Sequence, residues 1–256
     1  MEISIPHIGY GNRILVRDIT FTVSPGECLL LAGPNGSGKT TLLHRLTEVG
    51  IHSKTHAHPR ACKREGPTAC AVSAQRDGRG RSEAEAVLEC IPTSINCVLI
   101  PTGIPKIKGF SVREFIRTGC YRESDWAGKL SAKAEKRLEE ALELLGMKEW
   151  ADRDIATLSD GEFQKACIAV GLTRRAQVLL LDEPTAFLDV ENRLMVLQTL
   201  REVASRTATA VIFSSHDLHD ALKVAHRVLA ITPDGRLVES GEENREAVLK
   251  EAFPSY

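Results

Sequence analysis

A glycine-rich segment between an apolar run and a helical pattern restricts the fold of this chain more than any other feature. The segment reads Gly33-Pro34-Asn35-Gly36-Ser37-Gly38-Lys39-Thr40 and fits the pattern GxxxxGK followed by Ser or Thr. Residues 28–32 have the pattern of a short buried strand, and a helical pattern continues from the segment to about residue 49. Glycines let backbone N–H groups surround phosphate oxygens, and the helix N-terminus adds its positive dipole end. The sequence therefore predicts a nucleotide-binding loop in an α/β fold.

The residue types of this loop indicate what each would do with a bound nucleotide. Lys39 would bridge the β- and γ-phosphates, and the Thr40 hydroxyl would ligate Mg²⁺. The predicted ligands of this loop are therefore a nucleotide with a γ-phosphate and Mg²⁺. The residues that we expect to contact the nucleotide here are Gly33, Pro34, Asn35, Gly36, Ser37, Gly38, Lys39, Thr40 and Thr41.

A second pattern lies at 178–184, where four apolar residues precede Asp182, Glu183 and Pro184. Asp182, at the end of this predicted strand, would hold Mg²⁺ directly or through water. Glu183 would polarise the attacking water as a general base. Taken alone, the pattern is equally typical of a strand that ends in solvent. Its combination with the loop at 33–40 favours the catalytic interpretation.

Strand and helix patterns alternate along most of the chain. Aromatic residues make up only 5% of the sequence, so the core must be mostly aliphatic, which suits a sheet covered on both faces. Alternation in 1–31 predicts N-terminal strands. Further strands are predicted at 97–100, 178–181, 208–214, 228–231 and 237–239, and helices at 111–118, 131–146, from about 159, at 190–205 and at 217–225. The alternation indicates a mostly parallel sheet with helices on its faces.

The segment at about 51–96 differs from the rest of the chain. From 51 to 81 it has seven Lys or Arg and two acidic residues, and its only branched aliphatic residues there are Ile51 and Val72. Such a segment buries too little apolar surface to offset its ordering entropy, so we predict a poorly ordered insertion with a short helix near 83–90. A metal site is one alternative, and a basic strip that touches RNA or lipid is another. The residues that suggest a metal site are His52, His56, His58, Cys62 and Cys70.

Composition excludes several classes of protein. No run approaches the roughly 20 apolar residues that cross a bilayer, and the N-terminus lacks the pattern of a secretory signal. Seven cysteines without CxxC spacing favour reduced thiols in a cytoplasm. The 33 Lys and Arg against 34 Asp and Glu give a net charge of −1, so no bulk basic field favours nucleic acid as a partner.

Three further segments resemble motifs of the ATP-binding-cassette (ABC) ATPases. Leu158-Ser159-Asp160-Gly161-Glu162 is similar to the LSGGQ signature, with Ser159 and Gly161 matching, while Asp160 and Glu162 depart from it. Phe187-Leu188-Asp189 resembles the D-loop, and Ser215-His216-Asp217 resembles the switch-histidine segment. The resemblance covers nearly the whole chain except about 51–97. It implies a single P-loop NTPase ABC cassette over 1–256, an α/β fold with a mostly parallel core sheet, an N-terminal antiparallel β part and a helical subdomain at about 103–175.

The resemblance also implies how the site is assembled. In this family two cassettes sandwich two ATP molecules head to tail, so we expect a homodimer. Glu183 and His216 would be catalytic, with His216 at the γ-phosphate, and Thr40 and Asp182 would hold the metal. Ser159 and Gly161 would contact the nucleotide of the partner cassette, and Tyr10 would stack on the adenine. The alternatives are an ordinary packed aromatic for Tyr10 and a surface histidine for His216.

Two stretches, 110–119 and 128–131, resemble the importer branch for iron-siderophores, haem and cobalamin. This resemblance implies an ATPase that energises transport from the cytoplasmic face of the membrane. Its partners would be transmembrane permease subunits and, indirectly, a substrate-binding protein. A soluble assembly factor, as in iron–sulfur cluster biogenesis, is the alternative, and a nucleotide-binding regulator without turnover is disfavoured by the Asp182-Glu183 pair.

One position departs from the family pattern. A glutamine that reaches Mg²⁺ usually follows the strand that is predicted here at 97–100, and Thr102 takes its place. Threonine offers a hydroxyl with a shorter reach. We therefore expect looser coupling between the nucleotide and the permease surface, or a water that bridges Thr102 to the ion.

Overall fold

The structure is a computed structural model that describes residues 1–10, 13–49, 51–52, 94–241 and 243–253. Its strands are β1 (Glu2–Tyr10), β2 (Arg13–Thr22), β3 (Cys28–Ala32), β4 (Ile51–His52), β5 (Ser94–Ile95), β6 (Cys97–Ile100), β7 (Val178–Leu181), β8 (Ala210–Ser214), β9 (Arg227–Ile231) and β10 (Leu237–Glu239). Its helices are α1 (Lys39–Val49), α2 (Val112–Arg117), α3 (Ala132–Leu144), α4 (Asp160–Thr173), α5 (Val190–Thr207), α6 (Leu218–Val224) and α7 (Arg245–Ala252). Short 3₁₀ helices cover Thr118–Glu123, Lys148–Trp150 and Ile155–Thr157.

A six-stranded sheet in the order β10-β9-β3-β8-β7-β6 forms the centre of the molecule. All of its neighbouring strands are parallel except β10, which pairs antiparallel with β9 at the edge. β1 and β2 form a separate antiparallel sheet. The predicted fold class, a mostly parallel core sheet with an N-terminal antiparallel part, is confirmed.

Side chains of the central strands alternate between two cores, as the period of two in a strand requires. On one face Leu30, Leu179 and Phe213 pack with the helices α2 to α7. On the other face Leu29 and Leu180 pack with α1 and the β1–β2 sheet. Because both faces are covered, β3, β7 and β8 are buried along their whole length and read as continuous apolar runs.

The chain between β6 and β7 is mainly helical, and serines set where its helices begin. Ser111 and Ser159 each form a capping box at the start of α2 and α4, and the Ser131 side chain accepts from the Ala134 N–H at the start of α3. That residues 103–175 form a separate helical subdomain remains a prediction.

Two predicted regions differ in detail or lie outside the described residues. The strand predicted at 208–214 begins at Ala210, because α5 continues to Thr207 and Ala208 ends it in a left-handed conformation. β4 and β5, at the two ends of the predicted insertion, pair antiparallel. The short helix predicted near 83–90 lies outside the described residues. Four of the five residues that suggested a metal site, His56, His58, Cys62 and Cys70, also lie outside the described residues.

The register of the parallel strands decides which side chains meet at the edge of the sheet. Leu181 in β7 is the partner of Phe213 in β8, so the next residues, Asp182 and Ser214, lie side by side. Ser214 is also the partner of Leu31 in β3, two residues before Gly33. The carboxyl ends of β3, β7 and β8 therefore bring their loops together, as open α/β sheets do where they bind ligands.

Candidate functional site

The loop at 33–38 wraps the N-terminus of α1 and leaves a polar atom without a partner. Ser37 Oγ is buried and makes no hydrogen bond to any described residue. Gly36 and Gly38 have φ values of +75° and +104°, which only glycine adopts without strain. A buried hydroxyl without a partner is costly unless a ligand satisfies it. The loop therefore fits an anion such as a nucleotide phosphate.

The Lys39 side chain is folded back over this loop. Its ammonium donates to the carbonyl oxygens of Gly33 at 2.8 Å and Pro34 at 3.1 Å, and the residue is buried. Burial lowers the pKa of Lys39, although the nearby charges of Glu183 and Asp182 oppose this shift. The structure thus places the lysine between the loop and the two carboxylates that sequence analysis singled out.

Asp182 lies at the centre of a chain of hydroxyl groups. Thr40 Oγ1 donates to its Oδ2 at 2.8 Å, and Ser214 Oγ donates to its Oδ1 at 2.8 Å. The Thr102 hydroxyl donates to the Asp182 backbone carbonyl at 2.6 Å. The structure therefore brings Thr40 and Asp182 together as predicted, and their oxygens are the type of ligand that Mg²⁺ prefers.

Glu183 leaves the sheet in a conformation unusual for a residue with a side chain. Its φ is +47°, and its backbone N–H donates to Ser214 Oγ at 2.8 Å. Its Oε1 lies 2.5 Å from Nε2 of His216, which is 55% exposed. Strained backbone of this kind is found often at functional sites. The two residues predicted to be catalytic are thus in direct contact.

Tyr10 reaches the start of α1 from the end of β1. Its hydroxyl lies 2.7 Å from Thr41 Oγ1, and the residue is 66% exposed. The Tyr10 ring is therefore exposed rather than part of the core. A planar ligand could stack on it beside the phosphate loop.

The signature residues belong to the N-terminus of α4. Ser159 accepts from the Glu162 N–H at 3.2 Å, and the Glu162 carboxylate accepts from the Ser159 N–H at 2.7 Å. Gly161 packs so closely on α5 that a Cβ there would lie 2.5 Å from Asn192 Oδ1. In the described part of the chain, neither Ser159 nor Gly161 hydrogen-bonds to the loop at 33–41. The structure therefore does not bring these residues into one site with Lys39.

Sequence reasoning missed three residues that hold the site together. Ser214 contacts both Asp182 and the backbone of Glu183, and Lys106 contacts the N-terminus of α4. Arg193 pairs with Asp217, the residue after His216. The sequence does mark Ser214, because it is a polar residue at the end of an apolar strand, and Asp182 directly follows another such strand. Lys106 and Arg193 have no local pattern that marks them.

The fold and this edge of the sheet define a nucleotide-binding cassette of the P-loop type. A sequence profile of the family described as ABC transporter matches residues 16–186, which is more than half of the chain. The chain belongs to the ABC transporter family, and its activity is that of an ATP-binding, ATP-hydrolysing cassette. Within the described residues, none of the helices has the length and apolar character needed to cross a membrane.

Similar proteins support this assignment. The chain is 30% identical to the "Probable siderophore transport system ATP-binding protein YusV" of Bacillus subtilis, over 91% of this chain and 77% of that protein. It is 28% identical to the "Iron(3+)-hydroxamate import ATP-binding protein FhuC" of the same species, over 96% of this chain and 84% of that protein. Its fold is similar to the dimeric, ADP- and Pi-bound cassette MJ0796, with a TM-score of 0.62, 17% identity, and 95% of this chain and 99% of that chain covered.

Proposed function

We propose that this chain energises an importer for an iron-siderophore, haem or cobalamin-type substrate. It would work as a dimer of cassettes bound to transmembrane permease subunits at the cytoplasmic face of the membrane, with a substrate-binding protein as an indirect partner. Two Bacillus relatives named for siderophore and iron-hydroxamate transport support the substrate class. They do not favour the alternative of a soluble assembly factor.

The observation that carries the catalytic assignment is the contact of Glu183 with His216, 2.5 Å apart beside the Thr40–Asp182 pair. Glu183 would orient a water in line with the γ-phosphate and accept its proton. His216 would hold the Glu183 carboxylate and contact the γ-phosphate. A general base must lie within hydrogen-bond reach of its water, and the backbone bond to Ser214 fixes where Glu183 points.

Thr40 and Asp182 would hold Mg²⁺, since their side-chain oxygens already lie 2.8 Å apart. The ion would neutralise charge on the phosphates during hydrolysis. Lys39 would exchange its two bonds to loop carbonyls for bonds to phosphate oxygens. The Ser37 hydroxyl would gain the partner that it lacks among the described residues.

The remaining predicted residues would complete the site across a dimer. Tyr10 would stack on the adenine, because its ring is exposed next to the start of α1. Ser159 accepts a hydrogen bond within its capping box, so its hydroxyl proton can be donated to a phosphate of the partner's nucleotide. Gly161 would contribute through its backbone and through its close packing on α5.

Exposed apolar side chains support a permease surface on the helical segment. Aromatic residues are enriched at protein–protein interfaces relative to the rest of the protein surface. The large exposed side chains of this segment are Ile107, Phe110, Tyr121 and Trp126. We place the permease contact on residues 102–131, where the predicted helical subdomain begins.

The variant Glu183→Gln tests the catalytic assignment, because it keeps the size of the side chain and removes the base. We expect steady-state ATP hydrolysis to fall by about 10²–10⁴-fold, the range of a lost acid–base group. ATP should then trap a dimer that light scattering can detect. Hydrolysis at the wild-type rate would rule out Glu183 as the base.

A transport assay tests the substrate class. The chain would be reconstituted in liposomes with its transmembrane permease subunits, and uptake of a ferric hydroxamate, haem and cobalamin would be compared. ATP-dependent uptake of one of them, lost with Glu183→Gln, would support the proposal. Uptake of none, despite ATPase activity, would contradict the substrate class and leave the ATPase assignment standing.

A further inference from the structure

The loop that follows β6 contacts the N-terminus of α4 through the side chain of Lys106. Its ammonium donates to the Leu158 carbonyl oxygen at 2.7 Å and to Asp160 Oδ1 at 2.7 Å. The same ammonium lies 5.7 Å from the centre of the Phe163 ring. The Lys106 side chain is 26% exposed, whereas that of Asp160 is 69% exposed. The lysine is thus held by three neighbours, and Asp160 depends on it for charge compensation.

Asp160 stands where the signature of the resembling family has a glycine. It adds a carboxylate to the first turn of α4, which also carries Glu162. The Glu162 carboxylate is turned back onto the Ser159 N–H at 2.7 Å and belongs to the cap. Asp160 is not part of that cap. An unpaired carboxylate next to Ser159 would repel a phosphate that approaches this helix N-terminus.

We propose that Lys106 is a positioning residue that neutralises Asp160 and so allows the N-terminus of α4 to accept phosphate. This inference rests on the proposed function, in which Ser159 meets the nucleotide of the partner cassette. It explains why a signature with an aspartate in the place of glycine is compatible with an ATPase. In the commoner signature a glycine adds no charge at this position, whereas here the Lys106 ammonium compensates the charge of Asp160.

The same loop also contacts the backbone of Asp182. Thr102, near its start, donates to the Asp182 carbonyl oxygen at 2.6 Å, while Lys106 contacts α4. These residues line a cleft of about 370 Å³ that includes Asp182, Glu183 and Asp160. One short loop therefore contacts both the residue proposed to hold the metal and the signature helix.

The full chain with Lys106→Met tests this proposal. We expect KM for ATP, and the ATP concentration that dimerises the protein in a Glu183→Gln background, to rise by about tenfold, the order of coupling between contacting charges. The value of kcat at saturating ATP should change little, because the variant removes a contribution to binding rather than to the chemical step. Lys106→Arg should restore most of the wild-type KM.

Neutralisation predicts a rescue that a merely structural role does not. In the double variant Lys106→Met with Asp160→Asn, KM and dimerisation should return towards the wild-type values, because no unpaired carboxylate remains. Lys148→Met is the matched control. Its ammonium pairs with Glu143 at 3.0 Å in the same helical segment, with both side chains more than half exposed. It should leave both readouts unchanged.

The outcomes separate this inference from the proposed function. If Glu183→Gln alone does not dimerise with ATP, the proposed dimer is wrong and the inference falls with it. If that variant dimerises and adding Lys106→Met has no effect, only the inference is wrong. A Lys106→Met defect that persists in the double variant overturns it too, since the lysine would then act through Leu158 or Phe163.

Discussion

The Ser214 hydroxyl donates a hydrogen bond to Asp182 Oδ1 at 2.8 Å. Ser214 Oγ also accepts a hydrogen bond from the backbone N–H of Glu183 at 2.8 Å, and Ser214 is fully buried. One hydroxyl therefore fixes the carboxylate proposed for the metal and the backbone of the residue proposed as base. This matters because the φ of Glu183, +47°, is costly for a residue with a side chain and needs support from its neighbours.

Replacing Ser214 with Ala should disturb both carboxylates at once. The Glu183 N–H would lose its acceptor at a part-buried position, which costs about 0.5–1.5 kcal/mol in free energy of unfolding. We expect a lower kcat as well, because Glu183 would no longer be held in one orientation. Urea unfolding and steady-state ATPase assays measure the two effects. Ser205→Ala, at an exposed serine whose hydroxyl donates to the Glu202 carbonyl, should change neither. Wild-type behaviour of Ser214→Ala would refute the role given to the Ser214 hydroxyl.

Lys39→Ala should weaken ATP binding by at least about tenfold, since hydrogen bonds to charged groups contribute about 1.5–3 kcal/mol each. The backbone of the loop would still surround the phosphates, so binding should be weakened rather than lost. Titration calorimetry measures the affinity. Lys136→Ala, at a lysine whose side chain is 79% exposed, provides the control. Equal affinities for Lys39→Ala and wild type would exclude the proposed phosphate contact.

The ion pairs of Arg227 should make stability depend on pH in a defined direction. Burial alone would raise the pKa of Glu27, but the hydrogen bonds from Arg227 and from the Ser24 N–H lower it below its ordinary value of 4.5. The contribution of Glu27 to stability is therefore present above pH 4.5 and is lost as the pH falls through its lowered pKa. Arg227 also pairs with Glu239.

Arg227→Met should lower the free energy of unfolding at pH 7 by about 1–3 kcal/mol, because a partly buried carboxylate loses its charged hydrogen-bond partner. Burial would then dominate and raise the pKa of Glu27, so the penalty should shrink as the pH is lowered towards 4. Urea unfolding of the variant and the wild type at pH 7 and at pH 4 measures the loss of unfolding free energy at each pH. Arg206→Met removes an exposed pair with Glu202 and should cost under about 1 kcal/mol at either pH. A penalty for Arg227→Met that grows at low pH would contradict this account.

Gly119→Ala should destabilise the helical segment. A Cβ at Gly119 would lie 2.1 Å from Thr173 Oγ1 and 2.6 Å from the Val170 carbonyl oxygen, so the backbone of α4 would have to move. Overpacking of this kind costs about 1–3 kcal/mol. Thermal unfolding measures the loss. At Gly241 a Cβ meets only Asn244 Oδ1 at 3.5 Å, so Gly241→Ala should be close to wild type; equal melting temperatures for the two variants would disprove the close approach.

Local patterns were enough to predict most elements of the fold. The strand at 178–181 was predicted with the bounds that β7 has, because a strand buried on both faces is a continuous apolar run. Ser131 and Ser159 were placed correctly at helix starts, because capping is decided within a few residues. The phosphate loop follows from spacing alone.

Long-range contacts could not be predicted in the same way. Ser214 contacts Asp182 because β8 is the neighbour of β7 in the sheet. The order of strands in a sheet cannot be predicted from a local sequence pattern. Lys106 is separated from Asp160 by 54 positions in the sequence, and its partner is decided by how a loop lies on a helix. The sequence also does not reveal that Gly161 is needed for close packing on α5.

The pairing of β4 with β5 has a consequence for engineering this protein. Ile51 and Ile95 are direct partners in that small sheet, so two positions 44 residues apart in the sequence are neighbours in the fold. The free-energy cost of closing a loop grows only slowly with its length. A fluorescent reporter domain whose own termini lie close together could therefore be spliced in between these strands without stretching the nucleotide-binding edge of the sheet.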